Sequence, residues 1–207
     1  MRSQRIVACS LLMVFFAWGG IAMASYESPR YEVLEKDGAF EIRQYAPYVV
    51  AQVKVLGERS DAANEAFRIL AGYIFGKNET KGKLAMTSPV TQTQNEKIEM
   101  TIPVAQTSAA GFWVVQFMMP TSYSLDTLPR PLDARIALLT EGSKKTVAIR
   151  FSGTWRERNL EKHKKKLLEY IQNKNIVVRG EAIYAFYNAP FMPPFFRRNE
   201  IAYVCES

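Results

Sequence analysis

Histidine and cysteine are almost absent from this sequence, which has one histidine and two cysteines among 207 residues. Cys9 and Cys205 are far apart, and no cluster of histidines and carboxylates is present that could hold Zn²⁺ or non-heme iron. A Ser-His-Asp or Cys-His enzyme would have to use His163, which stands among lysines with no carboxylate predicted to orient its ring. The sequence therefore predicts no catalytic residues and no protein-held metal, with His163 as the one imidazole that could contact a metal.

A standard phosphate-binding loop is also missing. The segment GKNETKGK at 76–83 has one residue too many between its glycines, and Leu84 stands where a Mg²⁺-binding Ser or Thr is required. There is no nucleophile-elbow sequence either. These absences exclude the common nucleotide-binding and serine-hydrolase motifs.

No apolar run reaches the roughly 20 residues that a membrane-spanning helix needs. The longest run, from 6 to 21, follows Arg2 and Arg5 and precedes Ala22-Met23-Ala24, which fits the small-residue pattern of a cleavage site. The sequence thus predicts a signal peptide over residues 1–24, a mature domain over 25–207, and a periplasmic or secreted location without stable membrane insertion. An uncleaved membrane anchor is the alternative interpretation.

The chain has fewer acidic than basic residues: 20 Asp and Glu and 27 Lys and Arg, which gives a net charge of +7. Loss of Arg2 and Arg5 with the leader would reduce the charge to +5. The basic residues are scattered apart from Lys162 and 164–166, which we interpret as a solvated helix face. The chain is therefore predicted to bind no nucleic acid and to suit a small acidic ligand. It is also predicted to be a monomer.

Hydrophobic periodicity predicts strands and two helices. Asp37-Gly38 marks a tight hairpin between the first two strands. Ser60 is predicted to cap a first helix that ends at Gly76, and a second helix is predicted over 159–172 with Leu168 among its inward residues. The other predicted strands cover 48–56, 84–92, 97–105, 113–120, 134–140, 146–155, 181–189 and 199–205.

The predicted elements repeat in the same order. The strands centred on Gln52 and Ile149 are 97 residues apart, and the helices and closing strands that follow keep a similar offset. In this interpretation the strands at 113–120 and 134–140 open the second half. We therefore predict an α+β fold in which a duplicated strand-helix-strand-strand unit forms one curved antiparallel sheet or distorted β-barrel with two flanking helices.

Two stretches about a hundred residues apart carry a family resemblance: GYIFGKNETKGKLAMTSPVT at 72–91 and FYNAPFMPPFFRRNEIAYVC at 186–205. Together with AFEIRQY at 39–45, PTSYSLDTLPRPLD at 120–133 and AIRFSGTW at 148–155, they resemble the SOUL heme-binding protein family in the family's own order. The resemblance implies a tetrapyrrole-binding module with heme or a related ring as its ligand. Family members that ligate iron through histidine carry it directly after the EIR triplet, where this sequence has Gln44. The resemblance therefore implies binding mainly by apolar contact, without an axial histidine.

The resemblance also implies that the first helix lines the ligand site. There the sequence offers an apolar strip, with Arg68 one step around the helix and Lys77 beyond its end to pair with propionates. The strip consists of Phe67, Leu70, Ala71 and Ile74. The same strip is also what a core-facing helix shows.

A proline-rich loop at 190–196 is a second candidate surface. It carries Phe191, Met192, Phe195 and Phe196 on a stiff frame, so it could close over a flat apolar ligand or tuck down onto the sheet.

Three classes of function stay open. The first is an exported tetrapyrrole-binding protein for buffering or transfer. The second is a hydrolase-like small-molecule enzyme of the gyrase-inhibitor-like superfamily with Glu99 or Glu200 as general base. The alternative for both is a surface or salt-bridged strand carboxylate, with Glu200 paired to Arg197 or Arg198. The third is a protein-interaction module that uses the 190–196 loop.

Overall fold

A computed structural model describes residues 27–95 and 111–206 of the chain. The predicted leader at 1–24, the predicted strand at 97–105 and Glu99 lie outside the described residues. Within them the chain forms nine strands and two α-helices. The strands are β1 (Tyr31–Asp37), β2 (Phe40–Tyr45), β3 (Tyr48–Leu56), β4 (Val90–Asn95), β5 (Phe112–Met118), β6 (Ala137–Glu141), β7 (Lys144–Phe151), β8 (Val178–Phe186) and β9 (Asn199–Cys205), and the helices are α1 (Arg59–Ile74) and α2 (Glu157–Asn173).

All nine strands join one antiparallel sheet in the order β1-β2-β7-β9-β8-β4-β5-β3-β6, which curls into a half-barrel. The unit β3-α1-β4-β5 and the unit β7-α2-β8-β9 have the same strand order within the sheet, and β4 and β8 pair where the two units meet. The predicted α+β class with a curved antiparallel sheet and two flanking helices is confirmed. One assignment within it is wrong: the strand predicted at 113–120 closes the first unit as β5, between β3 and β4, and does not open the second.

The two faces of the sheet differ because side chains alternate along each strand. In β9, Ile201, Tyr203 and Cys205 belong to the hydrophobic core, where α1 packs on β3 and β5 and α2 packs on β7 and β9. The alternate residues of the strand, Glu200, Ala202 and Val204, line a cavity on the other, concave face. The core therefore lies between the helices and the convex face of the sheet.

The helix boundaries differ slightly from those expected. The cap of α1 is Glu58 and makes no side-chain capping bond, so Ser60 lies inside the helix rather than at its start. The helix does end as predicted, since Gly76 has a φ of +113°, in the left-handed region that favours glycine. In α2, Leu168 is 41% exposed and does not face the core. No helix in the described part of the chain is long and apolar enough to cross a membrane.

The segment after α1 is a loop where a strand was predicted from residue 84. The Asn78 side chain is fully buried, and its amide donates to the carbonyls of Tyr73 at 3.1 Å and Gly82 at 2.8 Å. These bonds fold the segment back on the helix end, so regular strand pairing begins only at Val90.

A groove between the first helix and the sheet

The two sequence stretches that carry the family resemblance converge on one apolar groove. The first ends in β4 and the second begins at the end of β8, and Val90 of β4 pairs directly with Phe186 of β8. The first half of α1 lies beside this junction and forms one wall. The resulting groove has a volume of about 310 Å³.

The groove is lined mainly by apolar side chains. Phe67 projects from α1, and its ring meets Phe117 of the sheet edge-on with a centroid distance of 5.5 Å, while 41% of the side chain stays exposed. Trp155 and Phe186 stand against each other at 5.4 Å on the other side. The main apolar lining residues are Phe67, Met86, Val90, Trp155, Phe186 and Pro190. A groove with an open aromatic face of this kind suits a flat apolar ligand.

Arg59 is the only charged residue that lines the groove within the described residues. Its Nε donates to Glu157 at 2.9 Å and its terminal nitrogen donates to the carbonyl of Trp155 at 2.9 Å. These contacts link the first turns of α1 and α2 and hold the guanidinium at one end of the groove.

Of the predicted residues on α1, only Phe67 lies in the groove. Leu70 and Ile74 are 0% and 1% exposed and belong to the core under the helix. Ala71 is half-buried and is not among the groove-lining residues. The alternative that the strip faces the core therefore holds for Leu70 and Ile74.

Arg68 and Lys77 point into a different, more polar depression with Glu65, Asp133 and Arg135. There Arg135 bonds Asp133 at 2.7 Å and Glu65 at 3.3 Å. The hydrogen bonds from Arg135 lower the pKa of Asp133 to about 2. Arg68 therefore does not line the groove, although it is next to Phe67 in the sequence.

The 190–196 loop meets the groove only at Pro190. Phe191 and Phe195 are 87% and 70% exposed, and Met192 is half-buried. The phenylalanines neither close over the groove nor tuck onto the sheet, and they project into solvent.

The concave face carries a second cavity, of about 440 Å³, with a buried ionic cluster at its floor. Arg43 donates to both carboxylate oxygens of Glu200, at 2.6 and 3.0 Å, and both side chains are 2% exposed or less. Arg198 donates to the same carboxylate at 2.9 Å, as does the hydroxyl of Tyr187 at 2.9 Å. Burial favours the neutral acid, but the two guanidinium groups outweigh it and hold the pKa of Glu200 below its ordinary value.

Part of this cluster was predicted from the sequence. Glu200 pairs with Arg198 as predicted, whereas Arg197 donates to the carbonyls of Pro190 and Met192. Arg43 was missed. The signal that could have indicated it is the alternation in β2, which places Arg43 on the face opposite Ile42 and Phe40 of the core side.

His163 lies on α2 and lines neither cavity. Its ring stacks on Phe151 with centroids 4.0 Å apart, and its Nδ1–H donates to the carbonyl of Asn159 at 2.7 Å. Burial and the nearby lysines lower its pKa, which favours the neutral ring.

Gln44 bonds Ser143 at 2.8 Å, away from the groove. No group of three or more His, Cys, Asp or Glu residues in ranges 27–95 and 111–206 could hold a metal ion.

The geometry thus defines a class of protein: an α+β domain whose sheet consists of two units of the same strand order, with an apolar groove where the two units meet. The family model described as SOUL heme-binding protein matches residues 26–204, and the chain belongs to this family. Heme-binding protein 1 of Xenopus tropicalis is 28% identical over 176 residues, which cover 82% of this chain and 86% of that protein. Heme-binding protein 2 of Homo sapiens is 28% identical over 179 residues, which cover 82% of each.

Solved structures show the same fold at low identity. The C-terminal domain of EcmrR has a TM-score of 0.59 at 9% identity and covers 86% of this chain and 98% of its own. A hydrolase from Listeria innocua has a TM-score of 0.56 at 10% identity and covers 84% and 94%. These likenesses concern the fold alone.

Proposed function

We propose that this protein binds heme or a related tetrapyrrole in the groove beside α1, mainly by apolar contact. The observation that carries the proposal is the convergence of both family stretches on one groove with Phe67, Phe186 and Trp155 in its walls. Hemin titration of residues 25–207 tests it. A saturable Soret shift at one equivalent is expected, and an unmoved spectrum with an intact fold would refute it.

The role we propose is reversible binding for buffering or transfer, without chemistry. Glu200 is the one of the two candidate general bases that lies in the described residues. It is held ionised by Arg43 and Arg198 and accepts several hydrogen bonds, so it is a poor proton acceptor at neutral pH. Export is supported by the leader-like residues 1–24, and the mass of the exported protein should correspond to a chain that begins at Ser25.

Arg59 is expected to recognise the carboxylates of the ligand. Arg59→Gln should weaken hemin binding severalfold, and the loss should shrink as ionic strength rises, because a partly exposed charge pair is screened. The dimethyl ester of protoporphyrin lacks the carboxylates, so its affinity should hardly change. Arg68→Gln on the neighbouring helix face is the matched control, and an equal loss in both variants would contradict a specific role for Arg59.

Iron ligation by the protein is expected to be dispensable. His163 lies outside the groove with its ring packed on Phe151, and Gln44 is bonded to Ser143. Metal-free protoporphyrin should therefore bind within a fewfold of hemin, measured by quenching of protein fluorescence. If His163→Ala abolished hemin binding and spared the metal-free ring, the proposal of apolar binding without a histidine ligand would be wrong.

A further inference from the structure

The loop at 190–196 exposes three phenylalanine rings at one tip of the molecule. Phe191, Phe195 and Phe196 are 87%, 70% and 68% exposed, and they are among the most exposed large apolar side chains of the described residues. The rings of Phe195 and Phe196 contact each other with centroids 4.5 Å apart. Such a cluster is costly in water unless it is covered by a partner.

The loop is held rigidly in this exposed position. Arg197 donates to the carbonyl of Met192 at 2.7 Å and to that of Pro190 at 2.6 Å, and its guanidinium stacks on Trp155 at 4.5 Å. The amide of Gly153 donates to the carbonyl of Pro194 at 2.8 Å. The rings are therefore presented by a fixed frame that ties them to the turn between β7 and α2.

That turn is flanked by arginines. Arg150, Arg156 and Arg158 lie within five residues of Gly153, all three are exposed, and none forms an ion pair with a carboxylate of the described residues. Glu157, in the same stretch, is paired with Arg59 at 2.9 Å, so the segment that the Gly153–Pro194 hydrogen bond ties to the aromatic tip carries net positive charge. This combination complements a bilayer surface, where apolar side chains enter the acyl boundary and guanidinium groups meet anionic headgroups.

The shape of the tip and the charge near it argue for lipid rather than for a protein partner. The three rings are exposed on a loop and line neither the groove nor the concave cavity, so they form no pocket that a side chain of a protein partner could fill. Insertion into a bilayer needs no complementary cavity, because each ring contributes through its own burial.

We propose that the loop at 190–196 docks the protein reversibly onto an anionic lipid bilayer, with Phe191, Phe195 and Phe196 inserted and the neighbouring arginines on the headgroups. Pro190 belongs both to this loop and to the rim of the groove, so docking brings the groove close to the membrane surface. A docked protein could then exchange a tetrapyrrole between the bilayer and the groove. Only this consequence rests on the proposed function.

Sedimentation with vesicles of phosphatidylcholine alone, and of phosphatidylcholine mixed with anionic phosphatidylglycerol, tests the docking on ligand-free protein. Binding is expected to the anionic vesicles and to fall with salt. Replacing Phe191, Phe195 and Phe196 together by serine should lower the partition coefficient at least tenfold. Val177→Ser is the control, because Val177 is 61% exposed and follows the C-terminal end of α2, a helix roughly 25 Å long that begins at the turn.

A second pair of variants separates the charges from the rings. Arg150→Gln with Arg156→Gln should reduce binding severalfold at low salt, while Lys83→Gln with Arg130→Gln, both exposed elsewhere, should have little effect. The inserted depth can be measured with Phe195→Trp, whose fluorescence should be quenched by lipids brominated on the acyl chains.

Unchanged vesicle binding by the triple serine variant, with an unchanged melting curve, would overturn the proposal, as would an unquenched Phe195→Trp. Failure of wild-type protein to bind anionic vesicles, with capture of a protein partner through the same loop instead, would also overturn it. Hemin titration in the absence of lipid is independent of these outcomes, so membrane docking and tetrapyrrole binding can fail separately.

Discussion

Glu200→Gln is expected to lower the free energy of unfolding by about 3 kcal/mol, because it leaves the buried guanidinium of Arg43 without its main counter-charge. The value lies at the low end for a broken buried pair, since Glu41 still contacts Arg43 at 2.8 Å. The melting temperature should fall by roughly 6–12 °C for a domain of this size. Denaturant unfolding and thermal melts measure both quantities.

The control for this variant is Glu65→Gln, which breaks the exposed pair with Arg135 at 3.3 Å and should cost less than about 1 kcal/mol. Equal losses in the two variants would contradict a structural role for the buried cluster. A normal melt with lost hemin binding would instead place Glu200 in the ligand site.

The same cluster predicts how stability responds to acid. The pKa of Glu200 is lower in the folded chain than its ordinary value of 4.5, so its ionised form is stabilised by folding. This contribution is present at pH values above the unfolded pKa and is lost as the pH falls through the folded pKa. Because Glu200→Gln has no such group, the stability difference between wild type and variant should shrink as the pH falls below about 4.5.

Local patterns were sufficient for much of the fold. Asp37-Gly38 predicted the first hairpin, which forms with Gly38 at a φ of +58°, and NEIAYVC predicted the closing strand over its full length. The start of β4 at Val90 was not predictable in this way. It depends on the buried amide of Asn78, which competes with strand pairing through bonds that no periodicity reveals.

The candidate site was harder to predict because it depends on contacts between the two units. Phe67 and Ile74 look alike on a helical wheel, yet one lines the groove and the other is 1% exposed in the core. What distinguishes them is the pairing of β4 with β8, which brings Phe186 and Pro190 beside the first half of α1 only. Strands that pair across such a long separation in the sequence leave no local signal in the residue pattern.

Arg59 illustrates the same limit. In the sequence it precedes the predicted helix cap and has no apparent relation to the ligand, whereas Arg68 stands next to the apolar strip. The structure shows that a position next to the apolar strip does not determine which cation reaches the groove: Arg59, at the start of α1, lines it, and Arg68 lies in the polar depression.

Phe67→Ala is expected to weaken binding of hemin, metal-free protoporphyrin and its dimethyl ester alike. The ring is the aromatic group that α1 contributes to the groove, and losing its stacking contact costs about 1–3 kcal/mol, which corresponds to a roughly 5- to 150-fold higher Kd. The loss should be independent of salt, unlike that of Arg59→Gln. Since 41% of the side chain is exposed, the stability cost should be about 1 kcal/mol rather than the roughly 3–5 kcal/mol of a fully buried phenylalanine.

Phe75→Ala is the matched control for this prediction, because Phe75 is 60% exposed at the end of the same helix and does not line the groove. Titrations and denaturant melts on the two variants should show lost affinity for Phe67→Ala alone, with small stability changes in both. A Phe67→Ala protein that is destabilised but binds normally would exclude the groove as the ligand site. Its binding would then have to come from a surface without Phe67, such as the concave cavity of about 440 Å³ over Arg43 and Glu200.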